Sequence, residues 1–220
     1  MNILAISTSG KAASAALIRD GAVIKSALSD NGLTHSETIM PLVDSLFKYP
    51  HALSEIDAFA ADVGPGSFTG VRIGVCVINA MAAALHKPVI EVSSLEALAL
   101  AADSSGLVCP LLDARNGNGY AALYQNGGEV IPPSAVVVEE FLSRLPTGAL
   151  FTGDGAAVYR QGIRVAVPGA RFARDDLHLL TADMLASPAS KKLIQGLAVE
   201  EARPLYLRPT QAERLYKNKV

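Results

Sequence analysis

The sequence predicts an α/β protein of two lobes, each a mixed sheet flanked by helices. Three observations predict it. Short apolar runs joined by hairpin signals open the chain, strand and helix patterns then alternate, and a polar break divides the chain near its middle. Half of the 220 residues are apolar and 18% are charged, far from disordered compositions, and a chain of this length buries roughly 70% of its unfolded surface.

Residues 3–6 form a short apolar run. Residues 13–18 and 22–28 form two more, separated by Asp20-Gly21, a dipeptide that tolerates the positive φ of a tight hairpin. The opening is therefore an antiparallel meander. Thr34-His35-Ser36-Glu37 has capping-box spacing and precedes Ile39, Met40, Leu42, Val43, Leu46 and Phe47, an amphipathic helix. Pro41 lies inside that helix and removes one donor at a cost of up to about 3 kcal/mol, so a bend is expected there. Residues 57–63 read as a strand, Gly64-Pro65-Gly66-Ser67-Phe68-Thr69-Gly70 as a glycine-rich turn, and residues 71–85 as a helix with Thr69 as its cap. A strand at 88–92 and a helix at 94–102 follow. The last two strands arrive by crossovers and must run parallel to a neighbour, which gives a five-stranded ribonuclease-H-like lobe.

Asp103-Ser104-Ser105-Gly106 is the polar break, and it sets the lobes at 1–103 and 104–220, with the last residues returning to the first lobe. Residues 107–112 and 120–124 read as strands joined across Asn116-Gly117-Asn118-Gly119, followed by a strand at 136–138, a short helix at 139–145 and a strand at 149–152 that ends in Gly153-Asp154-Gly155. Residues 181–185 read as helical. The second lobe is expected to be a smaller, looser echo of the first.

Nineteen basic and 21 acidic side chains leave a net charge of −2, too little positive field for this chain to hold RNA by itself. The start Met1-Asn2-Ile3-Leu4-Ala5-Ile6 has no basic region, and Ser7-Thr8-Ser9-Gly10 stops the apolar run well short of a signal peptide or membrane helix. A cytoplasmic protein with no membrane contact is expected. Cys76 and Cys109 make no C-x-x-C pair and read as reduced core residues. His35, His51, His86 and His178 are scattered without metal-ligand spacing, and no nucleophile elbow is present, so neither a metal nor a catalytic residue is expected. The basic tail from Arg208 to Lys219 reads as a solvated terminus, or as a contact to RNA or a partner.

The turn from Gly64 to Gly70 joins a strand to a helix N-terminus, where free amides favour anions. It matches neither the dinucleotide fingerprint nor the P-loop, so two readings stand: a tight structural turn, or an anion or nucleotide site built from Gly64, Gly66, Ser67, Thr69 and Arg72. Arg72 opposes the helix dipole and calls for an acidic neighbour, Asp62 or Asp113, or a bound phosphate. The helix itself is apolar around most of its circumference, with Gly74, Ala80, Ala82, Ala83 and Ala84 allowing close approach. Such a helix must be covered on both sides, by the second lobe or by another protein.

Three stretches resemble the TsaB (YeaZ) family: Ile3-Leu4-Ala5-Ile6-Ser7-Thr8-Ser9, His35-Ser36-Glu37 through Pro41, and above all Gly64-Pro65-Gly66-Ser67-Phe68-Thr69-Gly70-Val71-Arg72-Ile73-Gly74. Asp113-Ala114-Arg115 and Leu205-Tyr206-Leu207-Arg208 extend the likeness over nearly the whole chain. The resemblance implies an actin- and Hsp70-like (ASKHA) fold of two ribonuclease-H-like lobes. It further implies a non-catalytic scaffold in threonylcarbamoylation of the tRNA adenosine next to the anticodon. The partners implied are the catalytic paralogue TsaD and the ATPase TsaE, with tRNA reached only through the complex, ATP or ADP at the partner interface, and a homodimer when alone. The contacts expected for the partner face are Ile39, Val43, Phe47, Val71, Gly74, Val75, Ile78 and Met81. Ser7 departs from the aspartate usual in the family, and Asn116-Gly117-Asn118-Gly119 departs from its basic-acidic hairpin. A stand-alone ATP-dependent phosphotransferase of the same superfamily is the rival reading, and the peptidase label attached to relatives is a weaker one.

Overall fold

The computed structural model describes residues 1–47 and 50–208. Its first sheet contains β1 (Asn2–Ser7), β2 (Ala13–Arg19), β3 (Ala22–Ser29), β4 (Ala58–Gly64) and β5 (Val89–Ser93), in the order β3-β2-β1-β4-β5. The hairpins are antiparallel, whereas β4 lies parallel to β1, with Ile3 opposite Ala58, and β5 lies parallel to β4. The second sheet contains β6 (Leu107–Asp113), β7 (Asn118–Gln125), β8 (Gly128–Val137), β9 (Leu150–Thr152) and β10 (Arg171–Phe172), in the order β10-β9-β6-β7-β8. Counted within each lobe, both orders are 3-2-1-4-5, with the same parallel and antiparallel pairings. The fold is therefore the duplicated ribonuclease-H-like arrangement of the actin and Hsp70 class. The second sheet repeats the first strand for strand, although β9 and β10 have only three and two residues.

Strand alternation sorts the side chains into stacked cores. Leu4 and Ile6 of β1 point, with Phe59 and Ala61 of β4, at α1 (His35–Leu46) and α2 (Phe68–Leu85). Ile3, Ala5, Ala58 and Ala60 point the other way, into a core shared with α3 (Ser94–Ala101), α7 (Ala186–Ile194) and the second sheet's Val108, Leu112, Ala122 and Tyr124. Cys109, Leu111, Ala121 and Leu123 line the far side of that sheet with α4 (Val138–Leu142), α5 (Asp154–Val158) and α6 (Arg160–Ala166). One continuous core thus joins the two sheets through α3.

Several elements differ from the sequence reading. The helix around Pro41 is one element from His35 to Leu46 and starts six residues before the proline, which is exposed. Of its capping box, Glu37 Oε2 accepts from the Thr34 amide at 3.2 Å and from its hydroxyl at 2.6 Å. The cap of α2 is Ser67, whose Oγ accepts from Gly70 N, rather than Thr69. β8 is ten residues long and continues through Pro132 and Pro133 because it is an edge strand, where missing donors cost least. Residues 182–185 form a single 3-10 turn ahead of α7. Beyond α7 the chain returns to the first sheet: Val199 bridges Val89, and Leu205 N donates to Val63 O at 2.8 Å. The basic tail after Arg208 lies outside the described residues.

Candidate functional site

The glycines of the turn are explained by packing. A Cβ on Gly66 would stand 2.4 Å from Ser9 O, one on Gly70 would stand 2.0 Å from Thr8 O, and one on Gly74 would stand 2.4 Å from Thr8 Oγ1. These three glycines let the end of β1 press against the turn and the inner side of α2. The turn's donors are taken by the protein as well: Ser67 N reaches Ser9 O at 2.7 Å, Gly70 N reaches Ser67 Oγ at 3.2 Å, and Gly64 N reaches Asp62 Oδ1 at 3.0 Å. An anion cradle at this turn would have to do without those amides.

Asp62 is a carboxylate in a strand whose every residue is buried. Ser7 Oγ donates to Oδ2 at 2.7 Å and Ser9 Oγ donates to it at 2.5 Å, while Ser94 Oγ donates to Oδ1 at 2.6 Å. With Gly64 N, four donors satisfy the buried charge, and Ser94 opens α3, whose dipole favours it. A carboxylate at position 7 would stand within hydrogen-bonding distance of the Asp62 carboxylate and repel it, whereas the Ser7 hydroxyl donates to it.

Arg72 finds aromatic rings where the sequence called for an acid. Its guanidinium lies 3.9 Å from the centroid of Phe68, and Nε donates to Tyr206 Oη at 2.8 Å. Asp62 is enclosed by its serines, and Asp113 accepts instead from Tyr159 Oη at 2.7 Å and from Arg115 N at 2.9 Å. The cation is thus held by a π face and a phenol, both in reach because residues 205–206 return beside α2.

Between the lobes lies a cleft of about 860 Å3. Its walls are Ser9, Gly10 and Lys11, the turn residues Gly66, Ser67 and Thr69, the second lobe's Asp113, Arg115, Tyr120 and Asp154, and residues 205–208. Gly64 and Arg72 lie outside this lining. Crowding by the lobes desolvates the Asp154 carboxyl and raises its pKa, although the residue opens onto the cleft. Burial, the bond to Asp113 and the charge of Asp113 push the Tyr159 hydroxyl up to about 12. Among the described residues no group of three or more His, Cys, Asp and Glu is placed to hold a metal ion. Sequence reasoning missed Lys11, Tyr120 and Asp154. It also missed Ser9 and Ser94, for which an acid inside the apolar run 58–63 was the available signal.

The eight residues expected at a partner face divide. Ile39, Val43, Val71, Val75 and Ile78 are at most 3% exposed inside the chain's own core, and Gly74 is buried against Thr8. These six are corrected to core positions, because sheet and helices cover them on the side that the sequence could not assign. Phe47 and Met81 are half-buried at the margin of that core. The outer side of α2 carries Arg72, Cys76, Ala80, Ala83 and Ala84, all exposed, flanked by half-buried Ile73 and Val77, and neighbouring α1 exposes Met40. Only 33% of α2 is buried, although by length and composition it is the one described helix apolar enough to cross a membrane.

Comparisons with known proteins agree with this architecture. The family model for TsaD, tRNA N6-adenosine threonylcarbamoyltransferase, matches residues 31–214. The chain is 38% identical over 175 residues to the tRNA threonylcarbamoyladenosine biosynthesis protein TsaB of Bacillus subtilis (strain 168), covering 74% of this chain and 75% of that protein. It is 35% identical over 226 residues to TsaB of Escherichia coli (strain K12), covering 94% and 95%. The solved structure of YeaZ from Pseudomonas aeruginosa superimposes with a TM-score of 0.77 at 32% identity, over 94% of this chain and 99% of that one. The fold alone extends to a polyphosphate/ATP-glucomannokinase from Arthrobacter, with a TM-score of 0.50 at 13% identity.

Proposed function

The chain belongs to the TsaB (YeaZ) family of tRNA threonylcarbamoyladenosine biosynthesis proteins, and from that premise we propose that it is a scaffold which supplies no catalytic group and pairs with the catalytic paralogue TsaD. The observation that carries this reading is the outer side of α2. Cys76, Ala80, Ala83 and Ala84 present small side chains to the outside, with Ile73 and Val77 beside them. An apolar helix face of this kind is stable in water when another helix covers it, and small residues let that helix approach closely. A face that does not meet TsaD pairs with its own copy, which gives a homodimer of the isolated chain. TsaE joins the TsaD pair, tRNA is reached through the complex, and ATP or ADP sits at the partner interface rather than in this chain alone. A cytoplasmic location belongs to the same reading.

Ala80→Arg tests it, because Ala80 is exposed and its replacement leaves the core untouched. The variant is expected to weaken TsaD binding by roughly thirtyfold or more, the effect of a change at the centre of an interface, with an unchanged circular-dichroism spectrum. Undiminished pairing overturns the proposal. Gly74 is unsuited to this test, since any side chain there strikes Thr8. The functional counterpart is a reconstitution with TsaD and TsaE from the same organism. Transfer to tRNA should require this chain, while the chain alone turns over no ATP. Turnover by the chain alone, without effect on tRNA, would identify a phosphotransferase.

A further inference from the structure

After Ala202 the chain runs along the first lobe and then crosses to the second. Asn79 of α2 holds Ala202 by two bonds of 2.9 Å, from Nδ2 to the carbonyl and from the amide to Oδ1. Leu205 N donates to Val63 O, and the Tyr206 ring stacks on Phe68 at 4.8 Å while its hydroxyl accepts from Arg72. Two residues later Arg208 Nη2 donates to Asn118 Oδ1 at 3.0 Å, in the hairpin between β6 and β7. Residues 205–208 therefore wall the cleft between the first-lobe turn and the second-lobe hairpin.

The receiving hairpin is built to need a tether. Arg115, Asn116 and Gly117 take φ values of +65°, +53° and +73°; asparagine and glycine tolerate this region, whereas the Arg115 side chain disfavours it, so the strain sits at Arg115. The Asn118 side-chain Nδ2 donates to Arg115 O at 3.2 Å and to Asn116 O at 3.0 Å, which braces the turn and aims Oδ1 at Arg208.

We propose that residues 202–208 form an interlobe strap: anchored on α2 and β4 of the first lobe, it holds the strained β6–β7 hairpin of the second through Arg208 and Asn118. Its anchor and the N-terminal end of α2 are the same residues, Phe68 and Arg72. A partner that draws Arg72 away from Tyr206 loosens the hairpin more than 40 residues away in sequence, without touching it. The strap rests on these contacts alone and stands whether or not the partner is TsaD.

Hydrogen exchange followed by mass spectrometry on the full chain tests it. In R208A, peptides covering residues 114–119 should exchange about tenfold faster, the factor that loss of one charge-assisted bond produces in a local opening equilibrium. Y206A should raise exchange in the same hairpin although Tyr206 does not touch it, and Y206F, which keeps the stack and loses the Arg72 bond, should raise it less. Peptides from β1, β4 and α3 should be unchanged and report an intact fold. If Y206A disrupts them, Y206F alone decides. Unaltered hairpin exchange in R208A overturns the proposal. So does a hairpin that responds to R208A and to neither Tyr206 variant, because Arg208 would then act without an anchor on the first lobe.

Discussion

Gly70→Ala probes the packing that shapes the glycine-rich turn. Its Cβ would lie 2.0 Å from Thr8 O and 3.2 Å from both Thr8 C and Ser67 Cβ, so the end of β1 and the start of α2 must separate by more than 1 Å. The clash sets a Cβ, fixed in place by the helix backbone, against a backbone oxygen, and no rotamer change relieves it. Separation stretches two bonds that join these segments, Thr8 Oγ1 to Gly70 O at 2.7 Å and Ser67 N to Ser9 O at 2.7 Å. Each is worth about 1 kcal/mol net, and overpacking adds about 1–3 kcal/mol. The sum is roughly 3–5 kcal/mol, a large share of the 5–15 kcal/mol that typically holds a domain together. Urea unfolding followed by far-ultraviolet circular dichroism measures it, and Gly162→Ala is the control. Gly162 lies in α6 with nothing within 4 Å of an added Cβ, and alanine there should stabilise by up to about 1 kcal/mol. A loss below about 1 kcal/mol for Gly70→Ala at unchanged m would refute the packing account of the turn.

Asp62→Ala removes the acceptor of Ser7, Ser9 and Ser94 in a buried site, and should cost about 3 kcal/mol or more in thermal or urea unfolding; a near-neutral result would mean that the hydroxyls find other partners. Asp154 has a raised pKa in the folded state, so the folded chain binds the proton more tightly, and stability is lost as pH rises from the ordinary carboxyl range through the folded pKa. Asp154→Asn should therefore be more stable than the natural chain at neutral pH, with the gap closing as pH falls below about 4. A gap independent of pH would contradict the shift. Exposed Cys76 should react with a thiol reagent at once and Cys109 only on unfolding, since burial pushes the Cys109 thiol up and shields it. Bound TsaD should protect Cys76, and equal labelling with and without TsaD would place the interface elsewhere.

The first lobe was legible because its strands are short apolar runs bounded by turn residues, and because capping and glycine signals mark its helices. The second was less so. β8 carries Pro132 and Pro133 and is largely exposed, α5 and α6 are a few residues long, and α7 contains Pro188. Each lacks the periodicity that reveals an element, and the packing of neighbours decides its structure. The site was legible in its parts and not in its facing. A helix apolar all round carries no mark of which side a sheet will take, so Val71, Val75 and Ile78 could not be told from Ile73 and Val77. Arg72 misled for a related reason: its partner Tyr206 is 134 positions away, and no local pattern announces it.

The small residues of α2 fall on two sides with two consequences. Gly70 and Gly74 face inward, where the carbonyl oxygen and the hydroxyl of Thr8, respectively, leave no room for a Cβ, and Ala80, Ala83 and Ala84 face outward, where small side chains leave an even surface. The inward contact uses the turn's amides on Ser9 O and Ser67 Oγ, and those are donors that a phosphate at this helix N-terminus would require. The same close packing that seats α2 on the sheet therefore weakens the case for a phosphate cradle, while the outward side is free to meet another helix. Widening the inner contact and widening the outer one should then have separable effects: Gly70→Ala lowers stability wherever it is measured, whereas Ala80→Arg lowers pairing alone. A chain in which both changes lowered stability equally would have its outer face buried by its own residues, and the scaffold reading would lose the surface on which it rests.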